Sequence, residues 1–330
     1  MSLRVERPGL LTTVQDLGRT GYQAIGVSTG GAMDPTALRV ANLLVGNSEG
    51  AAGLEVTVVG PTLVALSRLL VSITGGMLGP RVNGVPVPER RAIALAAGDT
   101  LAFTGAPAGA RAYIAIAGGI DVPTVMGSRA TDLGAAIGGV DGRALRRGDV
   151  VPTGAPSPAA RLTIGRLETA GRNVAWWGAA PHVRRARLVD PIVRVLRGPE
   201  YEWFSGEAQR SFWDASWRIT DRSNRMGLRL DGGRVELPAA RELVSSPVAT
   251  GTIQVPPGGE PIILMADRQT VGGYPRIAQV CEVDLAVLAQ LAPGARFRMT
   301  EISLNDAAHL LLARERDIYD LGSGLAIHHR

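Results

Sequence analysis

Pairs of glycine and proline cut this chain into apolar runs too short to be helices. Runs at 54–59, 63–66, 69–74, 92–95, 100–103 and 112–117 are separated by Gly60-Pro61, Asn83-Gly84, Gly98-Asp99 and Gly118-Gly119. Short aliphatic and β-branched runs bounded in this way form neighbouring strands. Strands at this spacing build a small barrel or a sandwich. With Gly 42 and Pro 21, about a fifth of the 330 residues favour tight turns over long helices.

The second half repeats the pattern, with runs at 226–230, 234–237, 251–255, 262–266, 276–283 and 296–302. Between the halves, Pro152, Pro156 and Pro158 lie among small residues, and an Arg- and Trp-containing stretch follows. That composition predicts a connector with some order of its own over 152–190. The expected organisation is a β-rich N-terminal domain over 1–151, that connector, and a second β-rich domain over 191–330. Helices are few. Asp34 suits an N-cap, Pro35 the first helical position and Gly46 the stop, with Ala37, Leu38, Ala41, Leu44 and Val45 on one face. Ser205 can cap a short helix through Phe212 and Trp213, and 284–292 has room for one or two turns. Ser303 with Asp306 opens a C-terminal helix that presents Leu304, Ala308, Leu311 and Ile318. A faint echo between 97–104 and 292–299 suggests a duplicated β unit.

All 35 basic residues are arginine, and the chain contains no lysine. Schiff-base chemistry, a Walker A lysine and covalent attachment of biotin, lipoate or pyridoxal phosphate are therefore excluded for this chain. Any phosphate or carboxylate must be held by guanidinium groups, backbone N–H groups or a metal, and arginine suits two-pronged oxyanion recognition. The single cysteine, Cys281, cannot form an internal disulfide, and no leader or long apolar span opens the sequence. A cytoplasmic protein without a membrane anchor is expected. His182, His309, His328 and His329 have no metal-ligand spacing, so no metal is expected on this chain. The net charge of +5 is mild for this length. Its basic groups, Arg143, Arg146, Arg147 and Arg184, Arg185, Arg187, lack interleaved aromatics, which argues for solvated surface over a nucleic-acid face.

Three polar clusters can carry chemistry. The densest is in residues 251–280, GTIQVPPGGEPIILMADRQTVGGYPRIAQV, where Asp267, Arg268, Gln269, Thr270, Tyr274 and Arg276 surround Gly272-Gly273. Glycine there permits a positive φ or a close approach to a ligand; a tight hairpin that needs glycine for its turn explains the same residues. The second cluster is Gln15, Asp16, Arg19 and Tyr22, ahead of Gly30-Gly31, with an elaborate helix entry as the alternative. The third is Arg222, Asn224 and Arg225 in DRSNRMGLRLDG, which can grip an oxyanion or form plain surface ion pairs. No Ser-His-Asp order, nucleophile elbow or Cys-His pair stands out.

The segments VQDLGRTGYQAIGVSTGGAMD, DRSNRMGLRLDG and GTIQVPPGGEPIILMADRQTVGGYPRIAQV resemble the family of the 5-oxoprolinase C subunit, also called KipA or allophanate hydrolase subunit 2. That family is similar to one half of the urea carboxylase carboxyltransferase domain, and the resemblance runs nearly end to end apart from residues near 165–187. It implies a mainly β fold of two β-barrel-like units with few short helices, the C-terminal unit cyclophilin-like. It also implies, as partners, the A subunit of the same enzyme and a KipI-like B subunit. Such complexes cleave 5-oxoproline to glutamate with ATP hydrolysis; ATP and magnesium are then held by the complex, with no covalent cofactor on this chain. For that chemistry, Asp267 is the candidate base or magnesium-side ligand, and Gln269 and Tyr274 orient substrate. Gln15, Asp16, Arg19, Arg222, Asn224, Arg225 and Arg276, with the N–H groups of Gly272 and Gly273, are candidate contacts to substrate and its anions. Two other functions stay open. One is carboxyl transfer from carboxybiotin on another chain to urea or a related amide. The other is non-catalytic sequestration of a KipI-like kinase inhibitor.

Overall fold

The computed structural model describes residues 1–105, 108–181, 189–238 and 243–328; His182, His329 and the basic group Arg184, Arg185, Arg187 lie outside them. Backbone proximity divides the chain into two units. One comprises Met1–Arg19, Asp34–Val183 and Glu315–Arg330, the other Thr20–Met33 and Arg184–Arg314.

The first unit is a sandwich. One sheet orders its strands Val150–Pro152, Ser2–Arg7, Thr62–Ala65, Thr100–Phe103, Pro80–Val82, Val85–Pro86. The other runs Leu11–Gln15, Gly53–Thr57, Ala108–Ile116, Leu69–Met77, Ala92–Leu95. Leu3, Val5, Leu63 and Val151 of the first meet Leu54, Val71, Ile73 and Ile114 of the second in one core. Alternate residues of the five-stranded sheet face a separate layer. There Leu70, Ala92 and Ala115 pack with Ala41 of helix α1 (Pro35–Leu44) and with Ala160 and Leu167 of α2 (Pro158–Thr169). On the same face the Ser72 and Thr74 hydroxyls donate to the α1 carbonyls of Ala41 and Ala37 at 2.6 and 2.7 Å. Strands covered on both faces need unbroken apolar runs, which is the pattern these segments show.

Helix α1 begins as its residues dictate: Asp34 accepts from the Ala37 N–H at 3.0 Å, Pro35 fills the first position, and Gly46 beyond the end takes φ 72°. Helix α2 lies inside the expected connector. Ser157 caps it by accepting from the Ala160 N–H at 3.1 Å, and Pro158 occupies the first position. A Ser-Pro pair starts helices as readily as it marks linkers, and this helix falls within the first unit.

The second unit contains a closed seven-stranded barrel: Ile192–Arg197, Arg276–Val280, Thr252–Gln254, Ile262–Leu264, Gly227–Asp231, Trp217–Ile219, Arg296–Glu301. Its first and last strands pair in parallel, and the other neighbours are antiparallel. Phe212, Trp217 and Phe297 are fully buried in its core. Helix α3 (Gly206–Asp214), capped by Ser205, delivers Phe212, whose carbonyl accepts from Trp217 Nε1 at 3.2 Å. The duplicated unit suggested by the faint echo has no counterpart in these two topologies.

Three segments depart from expectation. No strand forms at 234–237; Val235 donates its N–H to Gly259 but no ladder follows. The strand from Arg276 stops at Val280, because buried Cys281 opens α4 (Glu282–Gln290), whose first turn carries Glu282 and Asp284. Acids are favoured at a helix N-terminus. Helix α5 (Leu304–His328) runs for 25 residues from Ser303, which accepts from the Asp306 N–H at 3.1 Å. Of the face expected to be apolar, Ile318 is buried but Leu304 is exposed, and Leu325 supplies a second buried position. No helix among the described residues is long and apolar enough to cross a membrane.

Two guanidinium–carboxylate forks pin the barrel. Fully buried Asp284 accepts from Arg194 at 2.6 and 2.8 Å. Glu200 accepts from the Arg276 side chain at 2.6 and 2.8 Å and from its backbone N–H at 2.9 Å. Burial opposes the charged form of Glu200, but the Arg276 hydrogen bonds and charge outweigh it and hold the carboxyl below its ordinary value of 4.5.

Trp217→Ala removes a fully buried indole and is expected to cost about 3–5 kcal/mol, read by denaturant unfolding. A carboxyl held low stabilises the fold above its unfolded value, and that contribution is lost as pH falls through the folded value. Stability against urea should therefore drop as pH falls below 4.5, and Glu200→Gln should be weaker at neutral pH with a shallower acid limb.

Candidate functional site

The loop that joins Ile262–Leu264 to Arg276–Val280 is held from beneath by one side chain of the neighbouring strand. Gln254 is 1% exposed; its Nε2 donates to the Tyr274 carbonyl at 3.2 Å and its Oε1 accepts from Gln269 Nε2 at 3.3 Å. A Cβ at Gly272 would lie 2.5 Å from Gln254 Nε2, so glycine is required for close approach to this amide. Neither Gly272 nor Gly273 has a left-handed φ. Val271–Gly272 also pairs with Ser246–Pro247, and the Arg268 Nε donates to the Val248 carbonyl at 3.2 Å. Gly273 and Tyr274 line a cavity of about 590 Å³ with Leu237, Val244, Val255 and Pro256.

Asp267 opens this loop and is matched to Arg225. Its oxygens accept from Arg225 Nε at 2.8 Å and Nη2 at 2.9 Å, and Nη2 donates also to the Gly31 carbonyl at 2.6 Å. The structure therefore joins Arg225 to Asp267, and Gln269, Gly272 and Tyr274 to Gln254. The other nominated groups are engaged elsewhere. Arg276 is forked to Glu200, and Arg222 reaches Glu260 at the surface at 3.2 Å. Asn224 closes a turn by accepting from the N–H groups of Met226 and Gly227.

Gln15, Asp16 and Arg19 lie in the first unit, where they clamp a loop. Asp16 accepts from the Ser128 hydroxyl at 2.7 Å and from the Arg129 N–H at 2.6 Å. Gln15 Nε2 and Arg19 Nη2 donate to the adjacent carbonyls of Thr131 and Ala130 at 3.1 and 2.6 Å. A Cβ at Gly138 would collide with the Ala130 carbonyl and lie 2.8 Å from Arg19 Nη2. Among the described residues, no group of three His, Cys, Asp or Glu side chains is placed to hold a metal ion. Arg222, Arg225 and Arg276 are thus each matched to a carboxylate, of Glu260, Asp267 and Glu200 in turn.

Sequence reasoning missed Gln254 and the partners of Asp16. A glutamine inside the β-branched run TIQV signals an inward polar demand, because a buried amide must find partners. Gly138-Gly139 within a polar stretch assigned to no strand was the corresponding cue for the 128–139 loop.

Residues 25–301 match the family described as carboxyltransferase domain, subdomain A and B. The chain is 40% identical over 305 residues to the C subunit of 5-oxoprolinase from Escherichia coli (strain K12), covering 92% of this chain and 93% of that protein. Of solved structures, it is similar to TTHA0988, with TM-score 0.77, 34% identity and coverage of 91% of this chain and 55% of the other. It is also similar to the urea carboxylase of Kluyveromyces lactis, with TM-score 0.83, 29% identity and coverage of 97% and 29%. The chain thus spans about half the length of TTHA0988 and under a third of the urea carboxylase. On the strength of these matches, this chain belongs to the carboxyltransferase-domain family that includes the C subunit of 5-oxoprolinase.

Proposed function

We propose that this chain is one subunit of an ATP-dependent 5-oxoprolinase, working with the A subunit of that enzyme and a KipI-like B subunit to open 5-oxoproline to glutamate. The observation that carries this reading is the 40% identity to the C subunit of 5-oxoprolinase across nearly the whole of both proteins. A lactam resists hydrolysis because its nitrogen donates into the carbonyl. ATP, with magnesium, held elsewhere in the complex, would supply the phosphoryl group that makes the lactam oxygen a leaving group. This chain's part is to bind and orient. Tyr274 and Gln269 stand on a loop whose backbone is tied down by Gln254, so their positions cost little ordering when substrate arrives. Asp267, matched to Arg225, serves as the anchor of that loop and not as a free base.

The match to urea carboxylase supports a second reading, carboxyl transfer to urea or a related amide with carboxybiotin carried on another chain. Co-purified with its two partners, the chain is expected to support ATP consumption that depends on 5-oxoproline and on all three proteins. Consumption driven by urea and a biotinylated carrier instead would overturn the first reading. Asp267→Asn should lower 5-oxoproline turnover by about tenfold or more, since it breaks a buried ion pair and frees the loop. Turnover equal to wild type would remove Asp267 from the site.

A further inference from the structure

Four arginines are nine-tenths or more buried among the described residues: Arg19, Arg111, Arg225 and Arg268. Arg111 lies 3.9 Å from Glu55, and Arg225 is forked to Asp267. Arg268, the only one of the four on the loop that bears Gln269 and Tyr274, has no carboxylate partner among the described residues. Its Nε donates to the Val248 carbonyl, while its Nη1 is closed off from solvent and meets no hydrogen-bond acceptor among them. Burial alone pushes this guanidinium below its ordinary value, yet arginine stays charged in proteins. A buried charge without a counter-ion is among the costliest features a fold can retain.

Two hydroxyls in the same condition sit on segments bonded to this one. Ser246 Oγ is buried without a partner, on the strand that pairs with Val271–Gly272 and two residues from the Val248 that holds Arg268. Thr29 Oγ1 is likewise buried and unpartnered. Its neighbours Ser28 and Gly30 both donate to the Ala266 carbonyl, two residues before Arg268. A charged donor with two hydroxyl donors calls for a group made only of acceptors, which a carboxylate is. Beside these segments, Val244, Gly273 and Tyr274 face the cavity of about 590 Å³, whose other walls include Leu237, Val255 and Pro256. The cavity, which Glu236 also lines, offers room for a small lactam ring.

We propose that Arg268 is the specificity-determining residue that holds the carboxylate of a small cyclic amide substrate, with Ser246 as its nearest assistant. The identity of that substrate as 5-oxoproline rests on the function proposed above. Urea lacks a carboxylate, so this residue would separate the two amide chemistries of the family.

The test compares 5-oxoproline with 2-pyrrolidinone, the same ring without the carboxylate. For the isolated full chain, 5-oxoproline is expected to raise the melting temperature and 2-pyrrolidinone to leave it unchanged. Arg268→Gln should abolish the shift, Arg268→Lys should keep part of it, and Ser246→Ala should weaken it. In the complete complex, Arg268→Lys and Ser246→Ala should raise KM for 5-oxoproline at least tenfold and about threefold, with kcat little changed. The KM for ATP should not move, which a merely structural role would not spare. If the complex turns over 5-oxoproline but these variants leave its KM and the melting shift as in wild type, the carboxylate assignment is wrong and the 5-oxoprolinase reading stands. If the chain shows the Arg268-dependent shift while the complex fails to turn over 5-oxoproline, the site holds and the function reading falls.

Discussion

Closure of the second unit's barrel depends on the parallel pairing of Ile192–Arg197 with Arg296–Glu301, which joins strands from opposite ends of that segment. Parallel pairs cannot be made by a hairpin, so this contact needs the whole intervening chain to bring its two strands together. The loops between barrel strands are anchored at both ends on this closed sheet. The loop from Met265 to Pro275 is the clearest case: both flanking strands are fixed, and Gln254 from the strand between them meets its backbone from below. A glycine at 272 is the condition for that meeting, because any side chain would occupy the amide's place.

Charge is matched in a similarly strict way. A chain whose cations are all arginine forms planar forks, and Arg194–Asp284, Arg225–Asp267 and Arg276–Glu200 are each bidentate. Each fork ties together segments that are distant in the sequence, so these arginines are committed to architecture. Against that background Arg19 and Arg268, each tied only to carbonyls, stand apart, and of the two only Arg268 lies on the Tyr274 loop. The distinction between a pinned and an unpinned guanidinium is geometric, and residue type alone does not reveal it.

That limit explains what the sequence could and could not convey. Short runs divided by Gly and Pro disclosed the β class, and Asp34-Pro35 and Ser205 disclosed two helix starts, because these signals are local. Helix α2 was hidden by Pro156 and Pro158, whose meaning changes with the apolar layer that receives Ala160 and Leu167. Arg222, Arg225 and Arg276 read as oxyanion contacts because their partners, Glu260, Asp267 and Glu200, are tens of residues away in the chain. Gln15 and Arg19 pair with carbonyls more than a hundred residues on. Non-local pairing is where sequence reading loses sight of the molecule.

The burial of Cys281 at the start of α4 has a practical side. Its thiol is 2% exposed, and burial pushes it toward the neutral, unreactive form. Since the chain also lacks lysine, common thiol- and amine-directed reagents find almost no side chain to modify. A cysteine introduced on the exposed part of the Tyr274 loop would accept a fluorophore or spin label at one defined place, so ligand arrival there could be followed without first stripping the protein of competing sites.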